Sequence, residues 1–136
     1  MADLVVDSSV WIDFFNKKSS IQINELNRAL SSSSSRSPFN ILPVIMQEVL
    51  QGIVDKKLYD FVKENLFGFD LVEYDNYEMA ISAADLFRFL RLKGVTIRKA
   101  NDCLIAAICI QNKFSLLHND KDFNNIAKHT SLKIYK

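Results

Sequence analysis

Five short apolar runs, separated by longer segments of helical period, constrain the fold of this sequence most strongly. Each run has the length of a β-strand, whereas the segments between them place apolar residues three or four positions apart, as amphipathic helices do. The runs are DLVV (3–6), FNIL (39–42), GFDLVEY (68–74), FSLLH (114–118) and LKIY (132–135). This alternation predicts an α/β fold with a mainly parallel central sheet of about five strands, flanked by helices and joined by right-handed crossovers.

Two of the predicted helices have recognisable ends. Pro43 suits the first turn of a helix that Gly52 ends. Another helix begins at Asp75, whose side chain can cap the first turn while Glu78 reaches back, and Gly94 can close it in a left-handed conformation. We expect the inward apolar face of this second helix to consist of Tyr77, Ala80, Ile81, Ala84 and Phe87.

The length and composition predict one compact domain over residues 1–136, because 136 residues with 49% hydrophobic content can bury a sizeable core. The net charge of +1 provides no general attraction to nucleic acid or to an anionic membrane, so a polyanion must bind to a local patch. The segment SSSSSRSP (31–38) is the one low-complexity stretch, and we interpret it as a mobile loop.

The cysteine positions indicate a reducing compartment. Cys103 and Cys109 are six residues apart in an apolar helical run, which separates them by roughly 9 Å and prevents a disulfide bond. No apolar stretch reaches the roughly 18 residues that span a bilayer, and Asp3 and Asp7 occupy positions where a signal peptide would be basic. We therefore expect a soluble cytoplasmic protein.

Acidic residues follow several of the predicted strands. Asp7 ends the first strand, Glu48 lies about a turn and a half into the helix after the second, and Asp102 opens the helix DCLIAAICI. Asp120 and Asp122 follow the fourth strand. Because ligands of parallel sheets bind beyond the carboxyl ends of the strands, these distant acids are expected to converge on one edge.

Each acid also has an ordinary structural explanation. Asp102 could be a helix cap, Glu48 a solvated helix residue, and Asp7, Asp120 and Asp122 turn formers. Several carboxylates on one rim, however, would have raised pKa values or require a cation. Mg²⁺ or Mn²⁺ is the expected ion, because both prefer oxygen ligands and commonly bridge carboxylates to phosphate. The sequence has neither zinc-type Cys/His spacing nor a glycine-rich phosphate loop.

Four segments, LVVDSSVWIDFF, MQEVLQG, NDCLIAA and LLHNDKDFNNIA, resemble in order and spacing the acidic motifs of PIN-domain nucleases. Within that family they are most similar to the VapC-type ribonuclease toxins of bacterial toxin–antitoxin systems, and the resemblance covers nearly the whole chain. It implies catalytic, metal-binding acids at Asp7, Glu48, Asp102 and Asp120, with Ser9 and Asp122 as accessory residues. The family commonly has Thr where Ser8 stands, which preserves a hydroxyl group.

The resemblance implies hydrolysis of RNA phosphodiester bonds with Mg²⁺ or Mn²⁺ as cofactor. Such ions ease the deprotonation of water and stabilise charge on the attacking and leaving oxygens. Asp7, Asp102 and Asp120 would be the main ligands, while Glu48 would complete the cage or orient the nucleophile. Products with a 5'-phosphate and a 3'-hydroxyl group are also implied by the resemblance.

One basic tract, RFLRLKGVTIRK, precedes Asp102 and contains no acid. We predict that it positions the RNA backbone through Arg88, Arg91, Arg98 and Lys99, aided by Lys93. An alternative is that basic residues near a helix C-terminus are favoured by its dipole. His118 and His129 are interpreted as ordinary polar residues rather than metal ligands.

The resemblance also implies an antitoxin partner, and we expect a homodimer. The predicted antitoxin groove is lined by Trp11 and Phe15 of the N-terminal helix and by Ile45 and Val49 of the helix that carries Glu48. Two other functions remain open: a receiver-type phosphoacceptor domain, and an inactive PIN fold that binds proteins. The receiver domain usually has an acidic pair after its first strand, whereas Asp7 is single.

Overall fold

A five-stranded parallel sheet forms the centre of the computed structural model, which describes residues 3–17, 19–31 and 39–135. Its strands are β1 (Leu4–Val6), β2 (Asn40–Ile41), β3 (Asp70–Leu71), β4 (Ser115–Leu117) and β5 (Lys133–Ile134). They run in the order β3-β2-β1-β4-β5, and every neighbouring pair is parallel. The predicted α/β fold with a parallel sheet is confirmed.

Seven helices are found among the described residues, and they flank the sheet. They are α1 (Ser8–Phe15), α2 (Ile21–Ser31), α3 (Pro43–Gln51), α4 (Lys56–Leu66), α5 (Asn76–Leu92), α6 (Ala100–Asn112) and α7 (Lys121–His129). Pro43 occupies the first turn of α3, and the Asp75 side chain caps α5 by accepting from the Glu78 amide, as predicted. Gly94 follows α5 with a φ of 81°, a left-handed conformation that suits glycine. Apart from Ser31, the serine-rich segment 31–38 lies outside the described residues.

The central strand β1 determines where a ligand can bind. β1 pairs with β2 on one side and with β4 on the other. The strands β2 and β3 therefore extend the sheet in one direction from β1, and β4 and β5 extend it in the other. Val6 lies opposite Leu117, and the Asp7 amide donates to the Leu117 carbonyl oxygen over 2.9 Å. The residues immediately after β1 and β4 therefore meet at the switch point of the sheet, where α/β proteins bind ligands.

Trp11 is the centre of an aromatic cluster that joins α1 to the sheet. Its ring stacks on Phe15 and Phe69 and meets Phe14 and Phe39 edge to face. The indole is only 2% exposed. Burial of this depth fits a role in stability, because a large aromatic side chain dominates the core that it fills.

Two of the residues predicted to line the antitoxin groove do not line it. Trp11 and Ile45 belong to the core, and Val49, although it reaches the wall of a groove, is 1% exposed. The groove lies between α1, α3 and the start of α4, and its volume is about 280 Å³. Its lining residues are Ile12, Phe15, Asn16, Val49, Gly52, Ile53, Val54 and Leu58.

The apolar face predicted for α5 is largely wrong. Met79 and Leu90 point into the core, and Ala83, Leu86 and Phe87 pack against it. Of the predicted face only Phe87 is at the core, and Ala80 and Ala84 are exposed. Tyr77 and Ile81, together with Leu92, form the outer α5 face, where their exposed fractions are 85%, 63% and 86%. Glu78 does not complete a capping box either, since its carboxylate accepts from the Gln111 side chain.

Both cysteines are free and buried, as the sequence predicts. Burial raises the pKa of the Cys103 thiol to about 11 and that of Cys109 to about 12, so neither is a reactive thiolate near neutral pH. Over the described part of the chain, every helix is too short or too polar to cross a membrane.

Candidate acidic site

Asp7 lies at the switch point and begins α1. Its carboxylate oxygen Oδ2 accepts from the Ser9 amide at 3.2 Å and from the Ser9 hydroxyl group at 2.6 Å. The side chain therefore bonds the backbone two residues on, as the turn-former explanation predicts, and in doing so it caps α1. It is also only 3% exposed, which an ordinary cap does not require. A buried carboxylate at a strand end is consistent with a second role in binding a cation.

Glu48 projects from α3 towards the same edge and is held by two donors. The Ser8 hydroxyl group donates to its Oε1 over 2.9 Å, and the Asn101 amide nitrogen Nδ2 donates to its Oε2 over 3.3 Å. These contacts connect α1, α3 and α6 through one carboxylate. Glu48 is consequently not a freely solvated helix residue.

Asp102 is buried in the first turn of α6 without being its cap, because Lys99 occupies the capping position. The side chain is 2% exposed, and its oxygen Oδ2 has no hydrogen-bond partner among the described residues. An unpartnered buried carboxylate oxygen is unusual, because burial without a compensating partner costs several kcal/mol. This oxygen fits a role as a ligand of a cation.

Asp120 and Asp122 bring two further carboxylates to Asp102 from the start of α7. One carboxylate oxygen from each of the three residues lies within 4.8 Å of the other two. Asp120 is the cap of α7, and its Oδ1 accepts from the Asp122 amide over 2.9 Å. Helix capping thus explains the position of Asp120 but not the convergence of all three carboxylates.

Two cations of the chain face this acidic cluster. Arg98 places Nε 3.3 Å from Oδ2 of Asp122 and Nη2 3.5 Å from Oδ1 of Asp120. The Lys99 ammonium lies 3.4 Å from Oδ2 of Asp120. Two members of the basic tract therefore lie against the acids themselves.

The acids interact electrostatically, as their pKa values show. Burial is the main reason that the pKa of Asp102 rises to about 7, and Asp7, Asp120 and Glu48 raise it further while Lys99 lowers it. The pKa of Asp7 is also raised, by burial and by Glu48, against the hydrogen bonds from Ser9. Four acids that are far apart in sequence thus repel one another across a common space.

Asp120 differs from Asp7 and Asp102 because nearby hydrogen-bond donors and cations offset the effect of burial on its pKa. Burial alone would raise its pKa, but the Asp122 amide, Lys99 and Arg98 outweigh that effect and leave the pKa below its usual value. Asp120 consequently stays charged when Asp102 takes up a proton near neutral pH. The cluster thus combines a carboxylate whose pKa is lowered with one whose pKa is raised to about 7.

Sequence reasoning missed several polar residues that position the acids. Asn101 donates to Glu48, and the Asn119 amide donates to the Ser9 hydroxyl oxygen over 3.2 Å. His118 is 6% exposed, and its Nδ1 accepts from the Asp120 amide, so it shapes the loop rather than offering that nitrogen to a metal. The only signal was adjacency, since Asn101 and Asn119 each precede an acid in the sequence.

The other two arginines of the basic tract lie on α5, beside the site. Arg88 and Arg91 line a cavity of about 490 Å³ together with Ala100 and Cys103 from the start of α6. The Arg91 guanidinium also lies over the Phe87 ring, 5.6 Å from its centroid. The cavity adjoins the helical turn that carries Asp102.

Fold and site together define an α/β protein with a carboxylate cluster at the switch point of a parallel sheet. The PIN domain family matches residues 4–129 of the sequence, so this chain belongs to the PIN domain family. The matched range includes all five acids of the site and both flanking cations.

Curated relatives share nearly the full length. The chain is 32% identical over 129 residues to the VapC ribonuclease Mb1587 of Mycobacterium bovis and to Ribonuclease VapC11 of Mycobacterium tuberculosis, covering 95% of each. Its fold is similar to a chain in the crystal structure of VapBC2 from Rickettsia felis bound to a promoter DNA fragment. That match has a TM-score of 0.70 and 19% identity, and it covers 97% of this chain and 96% of the other.

Proposed function

We propose that this protein is a metal-dependent ribonuclease and the toxin of a toxin–antitoxin pair. The observation that carries the proposal is the buried Asp102 carboxylate, one oxygen of which has no hydrogen-bond partner within the described part of the chain. Carboxylate oxygens of Asp102, Asp120 and Asp122 lie within 4.8 Å of one another. The relatives named VapC ribonuclease support the reaction class. A receiver-type phosphoacceptor domain receives no support, since residues 4–129 match the PIN domain family.

The donor atoms fit a hard divalent cation. They are carboxylate oxygens, which Mg²⁺ and Mn²⁺ prefer, and the neighbouring Cys103 thiol is protonated at neutral pH. Asp7, Asp102 and Asp120 are the proposed ligands. A bound ion would supply Lewis-acid stabilisation of the phosphate and make a water molecule easier to deprotonate.

The remaining residues prepare the reaction. Glu48, fixed by Ser8 and Asn101, is positioned to orient the attacking water and to accept its proton. The Ser9 hydroxyl group fixes the direction of the Asp7 carboxylate. Asp102 would hold the ion in its carboxylate form, because coordination requires that form. The products would carry a 5'-phosphate and a 3'-hydroxyl group.

Sequencing the cleavage products of purified protein tests this proposal directly. With Mg²⁺ or Mn²⁺ present, total RNA should be cut at defined positions, and EDTA should abolish cutting. Asp7→Asn should lose cleavage, whereas Asp55→Asn should retain it. Asp55 is a matched control because it caps α4 by the same kind of side-chain bond, outside the acidic site. Equal cleavage by both variants would reject the site.

For RNA binding we propose that Arg88 and Arg91 contact the strand beside the acids. Their cavity adjoins the start of α6, which would place a bound phosphate backbone close to Asp102. Arg98 and Lys99 belong to the same predicted surface but are paired with acids, so their contribution is of a different kind.

We further propose that an antitoxin segment occupies the groove between α1, α3 and α4. Val54 is fully exposed and Ile12 is 37% exposed, so both offer apolar surface to a helix of the partner. Ile12→Asp and Val54→Asp should weaken binding of the co-expressed operon partner without slowing cleavage in its absence. Ile21→Asp is the control, because Ile21 is exposed on α2 and does not line this groove. Val49→Asp is unsuitable, since it would bury a charge.

The outer α5 face supports a proposed homodimer. Tyr77, Ile81 and Leu92 expose apolar side chains along one stripe of α5, next to the cavity that Arg88 and Arg91 line. A second copy on this stripe would bury it and bring two RNA-binding surfaces together. Sedimentation of the purified protein at several concentrations tests this assembly.

A further inference from the structure

Lys99 is in an unusual position for a surface lysine. It precedes α6 at the capping position, yet its side chain makes no capping hydrogen bond. Its ammonium instead lies 3.4 Å from Oδ2 of Asp120 and interacts electrostatically with Asp102 and Asp7 as well. The side chain is 56% exposed, so the same ammonium borders solvent.

Arg98, the preceding residue, makes two ionic contacts where Lys99 makes one, although its side chain is 65% exposed. Its guanidinium contacts Asp122 and Asp120 with two different nitrogens, and the Asp122 side chain is only 6% exposed. A planar guanidinium that meets two carboxylates has a defined orientation. These contacts fix the end of the α5–α6 connection against the start of α7 and therefore determine where Lys99 begins.

We propose that Lys99 contacts the scissile phosphate and that Arg98, anchored on Asp122, positions Lys99 for this contact. The inference rests on the proposed ribonuclease function and adds two roles to it. Lys99 becomes a catalytic residue, and Arg98 becomes a positioning residue. Asp122 serves as the anchor of Arg98 rather than as a metal ligand.

The charges of the site explain why Lys99 would leave Asp120. A divalent cation held by Asp120 would compete with the Lys99 ammonium for the carboxylate, and the two positive charges would repel each other. The lysine stem is flexible and partly exposed, so the ammonium can move a short distance without disturbing the fold. A phosphate bound at the same edge is the nearest anion, and its negative charge increases on the oxygens during attack.

A simpler role for Lys99 is neutralisation of the acids. The two roles differ when the cation is already bound. If Lys99 only neutralised the acids, its loss would strengthen binding of Mn²⁺ and leave cleavage at saturating Mn²⁺ unchanged. If Lys99 contacts phosphate, cleavage falls even when the metal site is full.

The test compares Lys99→Met, Lys99→Arg and the control Lys128→Met. Lys128 lies in the last turn of α7, at the end away from the acids. Binding of Mn²⁺ without RNA is measured by calorimetry, and single-turnover cleavage is measured at saturating Mn²⁺ on an RNA that contains a mapped cleavage site. Melting temperatures in EDTA report any general loss of structure.

We expect Lys99→Met to bind Mn²⁺ at least as tightly as the wild type but to cleave roughly 100-fold more slowly. Lys99→Arg should recover part of the rate, and Lys128→Met should behave as the wild type. Wild-type cleavage by Lys99→Met would overturn the proposal, as would a loss of rate fully explained by weaker Mn²⁺ binding.

Arg98 provides a second and independent measurement. Because it acts through Lys99, adding Arg98→Met to Lys99→Met should slow cleavage little further, whereas Arg98→Met alone should slow it clearly. Additive losses would assign Arg98 its own contact and remove the positioning role. If wild-type protein with Mn²⁺ fails to cleave RNA at all, the proposed function itself is rejected. If cleavage requires Asp7 but not Lys99, only the present inference is rejected.

Discussion

The acidic site and the outer α5 face both reverse the usual distribution of polar and apolar groups, but in opposite senses. At the acidic site, Asp7 and Asp102 are carboxylates with exposed fractions of 3% and 2%. On the outer α5 face, Tyr77 and Leu92 are large side chains with exposed fractions above 80%. Both arrangements are unfavourable for an isolated chain, and both would be relieved by something that binds.

The two regions differ in how far neighbouring residues offset the unfavourable free energy of the buried carboxylates or the exposed apolar side chains. At the acidic site, Ser9, Arg98 and Lys99 supply hydrogen bonds and positive charge, yet one Asp102 oxygen has no partner among residues 3–17, 19–31 and 39–135. A buried charge costs several kcal/mol, whereas an exposed apolar side chain costs about 1.5–3 kcal/mol relative to burial. The acidic site should consequently show the larger response to substitution, and the α5 face the smaller one.

The largest effect is expected for Asp102→Asn. It should lower cleavage by at least about 100-fold and weaken Mn²⁺ binding, because the carboxylate charge is lost. In EDTA the same variant should melt several degrees higher, at about 4 °C per kcal/mol, because electrostatic repulsion is relieved. Asp75→Asn, which changes the cap of α5, should do neither. If Asp102→Asn cleaves RNA as fast as the wild type, the Asp102 carboxylate has no role in cleavage.

A pH series without metal should show a change of the same origin. The pKa of Asp102 is about 7 in the folded protein against its usual 3.8, so the folded state holds a proton that the unfolded state has lost between these values. Stability from Asp102 therefore decreases as the pH rises from 5 to 8. Wild-type protein should lose melting temperature relative to Asp102→Asn over this range.

Comparing the melting temperatures of wild type and Asp102→Asn distinguishes the titration of Asp102 from that of His118. The pKa of His118 is lowered, mainly by burial, so its contribution to stability increases with pH and acts equally in both proteins. Mn²⁺ should reverse the loss in the wild type at pH 8 and have a smaller effect on the variant. Parallel pH profiles would show that Asp102 does not titrate in this range.

A smaller effect is expected on the outer α5 face. Ile81→Glu should raise the dissociation constant of the proposed homodimer roughly 10- to 100-fold, because an apolar contact would be replaced by a charge in each subunit. Phe67→Glu, an equally exposed position after α4, should leave assembly unchanged. Analytical ultracentrifugation measures both. If the wild-type protein stays monomeric at high concentration, the proposed homodimer is rejected.

The smallest effect concerns the cavity between the two regions. Changing Arg88 and Arg91 together to Ala should reduce the slope of log affinity for single-stranded RNA against log salt by roughly 1.4, for two phosphate contacts. Lys63→Ala and Lys128→Ala, on exposed faces of α4 and α7, are the controls. Equal slopes for all variants would return the arginines to the role of solvated helix residues.

Features that depend on neighbouring residues could be predicted from the sequence. The Asp75 cap, Pro43 in the first turn of α3 and the left-handed Gly94 all follow from local chemistry. The convergence of Asp7, Glu48, Asp102 and Asp120 also followed from a simple rule, because parallel strands end at one edge. The assigned roles of these acids remain predictions.

Features that depend on packing could not be predicted. Apolar residues occur nearly all round α5, so their period did not determine whether Met79 or Ile81 faces the core. Contact with α6 made that selection. The contacts of Arg98 and Lys99 with the acids could not be predicted either. They depend on the path of the loop between α5 and α6, which has no hydrophobic periodicity.

The Ser9 hydroxyl group joins two segments that are far apart in sequence, since it contacts Asp7 and also accepts from the amide of Asn119, 110 residues later. Asp120 follows directly. During synthesis, at about 5–20 residues per second, β1 emerges early but its neighbour β4 is among the last elements made. A growing chain therefore carries Asp7 and Glu48 before Asp102 and Asp120 have been made. Under the proposed function, this order of synthesis delays cleavage until β4 and the residues that follow it have emerged.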